Sequence, residues 1–355
     1  MGNVCCGNMH FDAVVRELPC MKGKVVAVTG CTSGTGKIFA TVCAQKGAKV
    51  VLLNRDSVRA DEALASIKEV AETAGAPEPV SIPCDLSSFK SVRAASTKLQ
   101  GELSSSGLDV LCNNAGIMGF GDLATEDGYD IQMQTNHLSH FLLTKICMPF
   151  LEKACILRGE ARVVNHSSAA RVMNGPEFTN TLESKYFGKN GGSLGGNSSE
   201  MFKGANFVRY QQSKLANVAF TYALHDRLQK KGSKVKALCA HPGVAFTQLA
   251  EGAVQAGGAA DLGSSPAFLR HMLMTVLCQS EEDGAVGILR CACDPQAKSG
   301  EFFGPLGCGG GTGQHDTSEY SGPVGVLQTE PFADLNSQAM LWTMSEKAIG
   351  GKFDV

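Results

Sequence analysis

The sequence predicts an α/β fold: a single domain built on a doubly wound parallel sheet, with helices on both faces. Three observations carry that expectation. Short runs rich in Val and Leu recur along the chain, each long enough for one buried strand. Segments with helical spacing of apolar residues alternate with them. A glycine-rich turn follows the first run, where such a sheet binds its ligand.

The elements follow in order. Residues 24–30 (KVVAVTG) read as a buried strand stopped by glycine, and 36–47 as a helix with Ile38, Phe39, Val42 and Cys43 on one face. Residues 49–53 form a second strand. Residues 61–73 form a helix striped by Leu64, Ile67 and Val70. A strand at 80–84, a helix at 87–103 and a strand at 108–113 come next. A long helical region spans 127–151, and a strand 162–167. A helix at 211–230 and a strand at 235–240 complete the pattern. Right-handed crossovers are the default for such repeated units. Residues 1–22 read as an N-terminal tail and 23–355 as one domain. Residues 189–204 (KNGGSLGGNSSEMFKG) are an insertion without periodicity, expected to be a flexible surface loop. The Met-rich stretch 267–278 has three readings: a helix covering the substrate, a membrane-facing patch or core.

Composition bounds the partners. The 355 residues carry a net charge of −2, which gives no reason to expect nucleic acid. The 14 cysteines are scattered without a Cys-x-x-Cys pair, so they read as reduced thiols of an intracellular protein, with no zinc site. His137, His140 and His166 have no metal-ligand spacing. No apolar run reaches the ~18 residues a membrane span requires, and the start lacks the pattern of a secretory signal. Removal of Met1 would expose Gly2 to myristoylation, and Cys5 and Cys6 are candidates for palmitate, although Cys6 stands where the usual pattern has Ser or Thr. Two acyl chains anchor firmly where one does not, since each buried CH₂ contributes ~0.8 kcal/mol. The expected location is the cytoplasm, with anchorage to the cytoplasmic face of a membrane if the tail is acylated.

The turn Thr29-Gly30-Cys31-Thr32-Ser33-Gly34-Thr35-Gly36 lies between the first strand and the first sheet helix. Glycines there let the backbone approach a pyrophosphate, and the helix N-terminus offers free N–H groups. Gly30, Thr32, Ser33, Gly34, Thr35 and Gly36 are therefore candidate cofactor ligands in a dinucleotide-binding (Rossmann) arrangement. The second strand ends at Asn54-Arg55, without the acid that takes the ribose hydroxyls of NAD. A guanidinium pairs with a 2′-phosphate, so Arg55 favours NADP(H), with Lys37 and Ser33 nearby; a solvated loop cation is the other reading. Asp85-Leu86 follows the third strand. Asp85 is suited to an adenine amino group or to capping the next helix. Asn113, Ala115 and Gly116, in Asn113-Asn114-Ala115-Gly116, close the fourth strand beside the cofactor.

Tyr210 and Lys214 are four apart and share a helix face. A free phenol has a pKa of about 10, and a neighbouring ammonium is expected to bring it toward working pH. Ser168, closing the strand RVVNHSS, offers a hydroxyl to a substrate oxygen. Asn136 needs a partner inside its apolar helix, either a water leading to Lys214 or a local hydrogen bond.

Together these residues resemble the short-chain dehydrogenase/reductase family. The landmarks stand in family order from Lys24 onward: TGCTSGTG, CDL at 84–86, NNAG at 113–116, Asn136, Ser168, Tyr210 with Lys214, and Pro242-Gly243 with Thr247. The resemblance implies that Ser168, Tyr210, Lys214 and Asn136 are catalytic and that Tyr210 and Lys214 also bind cofactor. Pro242, Gly243 and Thr247 would lie at the nicotinamide end. The phrases TNHLSHFLLT, RVVNHSSAAR, YQQSKLANVAFTYAL and LNRD resemble the retinol-dehydrogenase-like branch, which tends toward NADP(H). The phrases SGEFFGP and AMLWTMSE resemble bacterial and protist oxidoreductases of that branch. Thr35 stands where the family usually has Ile, a change expected to affect packing more than binding. The long Ser168–Tyr210 connection means that substrate choice does not transfer.

The expected activity is interconversion of a carbonyl and an alcohol on a lipophilic small molecule, since Phe246, Leu249 and 267–278 supply apolar walls. Two other readings use the same residues: a membrane-associated NADPH-binding regulator or scaffold, and a reductase of a carbon–carbon double bond. Relatives of this kind also form dimers and tetramers, so a homo-oligomer is compatible with the sequence.

Overall fold

The computed structural model describes residues 10–173, 175–198, 203–243, 279–307, 321–327 and 333–355. Strands β1 (Val25–Thr29), β2 (Lys49–Asn54), β3 (Val80–Pro83), β4 (Val110–Asn113), β5 (Ala161–His166), β6 (Val235–Ala240), β7 (Phe302–Pro305) and β8 (Val324–Val326) form one sheet in the order β3-β2-β1-β4-β5-β6-β7-β8. All neighbouring pairs are parallel except β7–β8. The order reverses between β1 and β4, and such a switch opens a crevice at the C-terminal strand ends.

The alternation of side chains along each strand divides the core in two. Val25, Ala27, Val51, Leu53, Leu111 and Val163 face one cluster. Their neighbours Val26, Val28, Val50, Leu52, Cys112 and Val164 face the other. The first face is covered by α4 (Phe89–Leu103), α6 (Ser139–Arg158), α7 (Ala205–Lys231) and α9 (Leu335–Ile349). The second is covered by α1 (Phe11–Glu17), α2 (Gly34–Gln45) and α8 (Glu281–Cys293), with α3 (Val58–Ala74) packed on α2. Burying one Leu or Val side chain of these strands stabilises the fold by roughly 1.5–3 kcal/mol.

Several boundaries differ from the sequence expectation. Residues 10–22 are not a free tail: the N–H groups of His10 and Phe11 donate to Asp283 Oδ1 at 3.1 and 2.8 Å, and Val14, Leu18 and Met21 join the core. The helical region expected at 127–151 begins later, with the short α5 (Ile131–Met133), and passes through a π turn at Gln134–Leu138 into α6. Helix α7 begins at Ala205 rather than Gln211. Beyond β6, strands β7 and β8 extend the sheet, α8 covers its second face and α9 its first.

The 189–204 insertion departs furthest from its expected flexibility. Residues 189–198 of it are tied down by Asp122, whose carboxylate accepts the N–H groups of Gly192, Leu194 and Gly196 at 2.9, 2.6 and 2.9 Å. Gly191 packs so closely on Tyr129 and Ala124 that a Cβ would lie 2.6 Å from the Tyr129 carbonyl oxygen. Gly2, Cys5 and Cys6, Phe246, Thr247 and Leu249, and the 267–278 stretch lie outside the described residues. Among the described residues no helix is long and apolar enough to cross a membrane.

Candidate active site

The glycine turn joins β1 to α2, and its shape requires glycine at two points. Gly30 has φ +66° and faces Ala115, whose Cα would stand 2.8 Å from an added Cβ. A Cβ on Gly36 would fall on Asn114 Nδ2 and the Gly30 carbonyl. Ser33 is the N-cap of α2 but makes no side-chain bond to the helix. A close-approach backbone in front of a helix N-terminus fits the pyrophosphate of a dinucleotide.

Asn114, which the sequence reading passed over, is the centre of this turn. Its Nδ2 donates to the carbonyls of Thr29 and Gly30 at 3.0 and 3.1 Å. Its Oδ1 accepts from Thr35 Oγ1 at 3.0 Å and from His166 Nδ1 at 2.9 Å. Thr35 therefore has a polar role in closing the turn, beyond the packing change expected of it. Thr29 Oγ1 accepts the N–H groups of Asn114 and Ala115, both at 3.0 Å.

The remaining cofactor candidates take different positions. Arg55 is exposed just past β2, beside the buried Asn54, whose Oδ1 holds the Cys31 N–H at 2.9 Å. Asp85 Oδ1 accepts from the Ser87 N–H and hydroxyl, and Ser88 rather than Asp85 caps α4. The Leu86 side chain lies in the core and its carbonyl accepts from Ser139 Oγ at 2.6 Å. Asn113 turns its amide inward to Thr144 Oγ1 and Asn165 Oδ1, so its side chain faces the core and only its backbone borders the cleft. Thr32 is partly exposed in the turn. Gly243 has φ +65° and donates its N–H to His241 Nδ1 at 3.2 Å, while the Pro242 carbonyl accepts from Gln279 Nε2.

The reacting groups converge at the ends of β4 and β5. Ser168 follows β5 and caps a short 3₁₀ turn at Ala169–Val172, accepting the Ala170 N–H at 3.2 Å. Its side chain lies near the Tyr210 hydroxyl and favours the ionised form of that phenol. Lys214 Nζ stands 5.8 Å from the centre of the Tyr210 ring and donates to the His166 carbonyl at 3.1 Å. Gly116 brings the last member in: a Cβ there would lie 3.2 Å from Lys214 Nζ and 3.3 Å from Asn136 Oδ1. Asn136 sits in the π turn, a feature frequent at functional sites. It accepts the Ile117 N–H at 2.8 Å and donates to the Ile117 carbonyl and Ser213 Oγ at 2.9 and 2.8 Å. Local protein bonds thus take up both amide hydrogens of Asn136 and one lone pair of its Oδ1.

Charge behaves differently from the sequence expectation. Burial pushes Tyr210 up to about 12, opposed by the nearby Ser168 side chain, and pushes Lys214 down to about 8. Removing both groups from water disfavours their charged forms, and for the phenol this outweighs the opposing effect of Ser168. The resting site therefore holds a neutral phenol ready to donate a proton.

A doubly wound sheet with a glycine cradle and a Ser–Tyr–Lys group at its switch point defines a class, the nicotinamide-dependent oxidoreductases. Comparison with known proteins gives the family. The short chain dehydrogenase model matches residues 24–188. The chain is 34% identical to retinol dehydrogenase 11 of Homo sapiens over 274 residues, 77% of this chain and 73% of the relative. It is 31% identical to retinol dehydrogenase 12 of Mus musculus, over 85% of this chain and 81% of the relative. A crystal structure of an uncharacterized protein from Mycobacterium paratuberculosis superposes with a TM-score of 0.67 at 27% identity, covering 96% of this chain and 98% of that one. The chain belongs to the short-chain dehydrogenase/reductase family of oxidoreductases, in its retinol-dehydrogenase-like branch.

Proposed function

We propose that this chain is an NADP(H)-dependent oxidoreductase that interconverts a carbonyl and an alcohol on a lipophilic small molecule. The observation that carries the reading is the convergence of Ser168, Tyr210 and Lys214 beside a glycine turn too tight for any Cβ at Gly36. Names of relatives support a lipophilic alcohol or aldehyde, since they include retinol dehydrogenases. Arg55 supports NADP(H): it is the exposed cation at the end of β2, where NAD-binding sites usually carry an acid.

A bound nicotinamide supplies and accepts a hydride. The turn from Gly30 to Gly36 would hold the pyrophosphate, with Thr32, Ser33, Gly34 and Thr35 along it. Arg55 would take the 2′-phosphate, Asp85 and Leu86 the adenine, and Asn113, Ala115 and Gly116 the flank of the cofactor. Pro242, Gly243 and Thr247 would cover the nicotinamide end. In the reductive direction Ser168 and Tyr210 hydrogen-bond the substrate carbonyl, and Tyr210 donates its phenolic proton as charge develops on that oxygen. Lys214 stabilises the resulting phenolate and holds a ribose hydroxyl; Asn136 fixes the geometry of Gly116 and Ile117 behind them.

The test is oxidation of NADPH followed at 340 nm across aldehydes and ketones of graded apolar size, retinaldehyde included. Wild type is expected to turn over long apolar members, and Tyr210→Phe to lose at least a hundredfold in kcat with NADPH affinity within twofold. Equal activity of Tyr210→Phe would refute the assignment. Oxidation of NADPH with an alkene product reduced, or none across the panel, would favour the double-bond reductase or the regulator instead. At the N-terminus, acylation at Gly2, Cys5 and Cys6 would hold the enzyme on the cytoplasmic face of a membrane, where a lipophilic substrate concentrates. Loss of membrane-bound protein in Gly2→Ala and Cys5→Ser/Cys6→Ser variants is the expected result.

A further inference from the structure

Helix α7 carries Tyr210 as its sixth residue, yet its own N-cap, Gly204, supplies no side-chain cap. The first free N–H groups of the helix are satisfied by the glycine-rich insertion. Ser198 Oγ accepts from the Ala205 N–H at 3.0 Å, and the Ser198 carbonyl accepts from Asn206 N–H at 3.3 Å. Gly204 closes so tightly here that a Cβ would lie 2.5 Å from the Ser198 carbonyl oxygen.

Arg209, adjacent to Tyr210, reaches back from the helix into the same insertion. Its guanidinium is fully buried; Nη1 donates to the carbonyls of Leu194 and Gly196 at 3.0 and 2.9 Å. Nη2 donates to the Phe120 carbonyl at 3.3 Å and to Asn206 Oδ1 at 2.7 Å. Two buried carboxylates face it: Asp130 Oδ2 at 3.3 Å from Nε and Asp122 Oδ2 at 3.8 Å from Nη1. Asp122 is the same side chain that gathers the N–H groups of Gly192, Leu194 and Gly196. One knot therefore joins three things: the insertion, the 117–122 segment leading from Gly116, and the opening turns of the catalytic helix. A buried guanidinium is costly unless its donors are paired, so removing part of the knot weakens the rest.

We propose that Arg209 and Asp122 are positioning residues: through the 189–198 insertion they form a remote cap that holds Tyr210 at the distance from Ser168 needed for proton donation. This rests on the oxidoreductase reading above. A helix start without a cap frays at its first turns, and loss of a cap costs ~1 kcal/mol in a typical helix. Here the fraying end carries the proton donor. A displacement on the order of 1 Å at a reacting group costs about a hundredfold in rate.

The test pairs kinetics with site-resolved hydrogen exchange on the full chain, using Asp122→Asn, Arg209→Lys and Arg209→Met. Asp122→Asn keeps the shape but removes one of the two carboxylates facing Arg209, leaving Asp130, and turns part of the acceptor into a donor. Exchange at Gly192, Leu194 and Gly196, and at Ala205 through Tyr210, is expected to rise at least tenfold in Asp122→Asn. kcat should fall ten- to hundredfold with NADPH dissociation constant unchanged within twofold. Arg209→Lys should recover part of the kcat lost in Arg209→Met, because one cation still faces the carboxylates. Faster exchange in the insertion with unchanged exchange at 205–210 and unchanged kcat would overturn the proposal, making the knot a surface closure only. A uniform loss of kcat and of NADPH binding, with global exchange raised, would overturn it as a folding defect. Silence of the wild type toward every carbonyl would sink the oxidoreductase reading and the claim on turnover together. The exchange data would then still decide whether the knot holds the helix start.

Discussion

The Thr29 hydroxyl donates to His140 Nε2 at 2.9 Å, joining the end of β1 to the helix that carries Asn136. The direction of this bond is set by its surroundings. His140 Nδ1 lies 3.0 Å from the Asn136 carbonyl, which only accepts, so Nδ1 carries the proton and Nε2 must accept. The lone pairs of Thr29 Oγ1 are then free for the N–H groups of Asn114 and Ala115. One hydroxyl thereby couples the glycine turn, the NNAG segment and the π turn. Thr29→Val, which keeps the shape, leaves the Ala115 N–H and one ring nitrogen unpaired, while the Asn114 N–H keeps the Cys112 carbonyl at 3.0 Å. At about 1–3 kcal/mol for each buried unsatisfied group, we expect a loss of several kcal/mol in urea unfolding. NADPH affinity should weaken along with it. Thr29→Ser should behave close to wild type; a Val variant of wild-type stability would show that the three bonds contribute nothing net.

Arg55 separates the two nicotinamide dinucleotides by charge. It is exposed and its carbonyl accepts from Ser57 Oγ at 3.4 Å, while its neighbour Asn54 is buried and holds Cys31. Arg55→Asp should reverse the preference, lowering kcat/KM for NADPH at least thirtyfold and raising it for NADH. The folded state should be little changed, since substitutions at exposed sites usually stay within about 0.5 kcal/mol. Steady-state kinetics with both cofactors at several salt concentrations checks this. NADPH selectivity should fall as ionic strength rises. An unaltered NADPH/NADH ratio would assign cofactor choice elsewhere.

Burial of Tyr210 and Lys214 gives the reaction a directional pH dependence. The phenol, raised to about 12, is protonated throughout the neutral range and needs no activation to donate. The amine, lowered to about 8, loses its charge as pH rises through that value and then no longer stabilises the phenolate left behind. Reductive kcat/KM is therefore expected to be level near neutrality and to fall above pH 8. Oxidation, which needs the phenolate, should rise over the same range. Lys214→Arg, charged at all these pH values, should extend the reductive plateau upward if it keeps the position. Parallel profiles in both directions would show that another group controls the proton.

The parts of this site legible in the sequence are those whose function is written over a few adjacent residues. A glycine turn between a strand and a helix, and Tyr210 four residues before Lys214 on one helix face, need no knowledge of distant contacts. The sheet was legible for the same reason through β6, because Val-rich runs mark buried parallel strands. What failed to show depends on long-range pairing. Asn114 looks like any loop amide until the fold brings Thr35 and His166 to its oxygen. The 189–198 insertion has loop composition, and its order comes from one carboxylate about 70 residues earlier. Helix α7 begins six residues sooner than its apolar stripe suggests, because Asn206 and Arg209 are polar residues buried by pairing. Residues 11–21 likewise read as a tail because their partners, Asp283 and Cys293, lie 272 positions away in sequence.

Three buried histidines make the fold sensitive to acid. Burial lowers His137 to about 3, His140 to about 4 and His166 to about 3, from an ordinary value of 6.5. Each is neutral in the folded chain and charged in the unfolded chain between those values. The unfolded state then binds more protons, and stability rises with pH. The contribution is fully present above pH 6.5 and is lost as pH falls toward 4 to 3. Asp130 acts in the opposite sense: burial raises it to about 6 from 3.8, so it favours the folded chain as pH falls through 6. Three groups against one leave the histidines dominant between pH 6.5 and 4. The unfolding midpoint in urea should therefore drop steeply across that interval, well before the carboxylates of the surface titrate. His137→Gln isolates one contribution, because its ring hydrogen-bonds Ser345 Oγ, packs against the rings of Phe141, Phe187 and Phe220, and takes no part in the site. That variant will be less stable at pH 7, but its loss of stability between pH 6.5 and 4 should be shallower by about one proton's worth, close to 1.4 kcal/mol per pH unit. A slope identical to wild type would mean that His137 stays neutral in the unfolded chain too, or that the folded interior admits its charge.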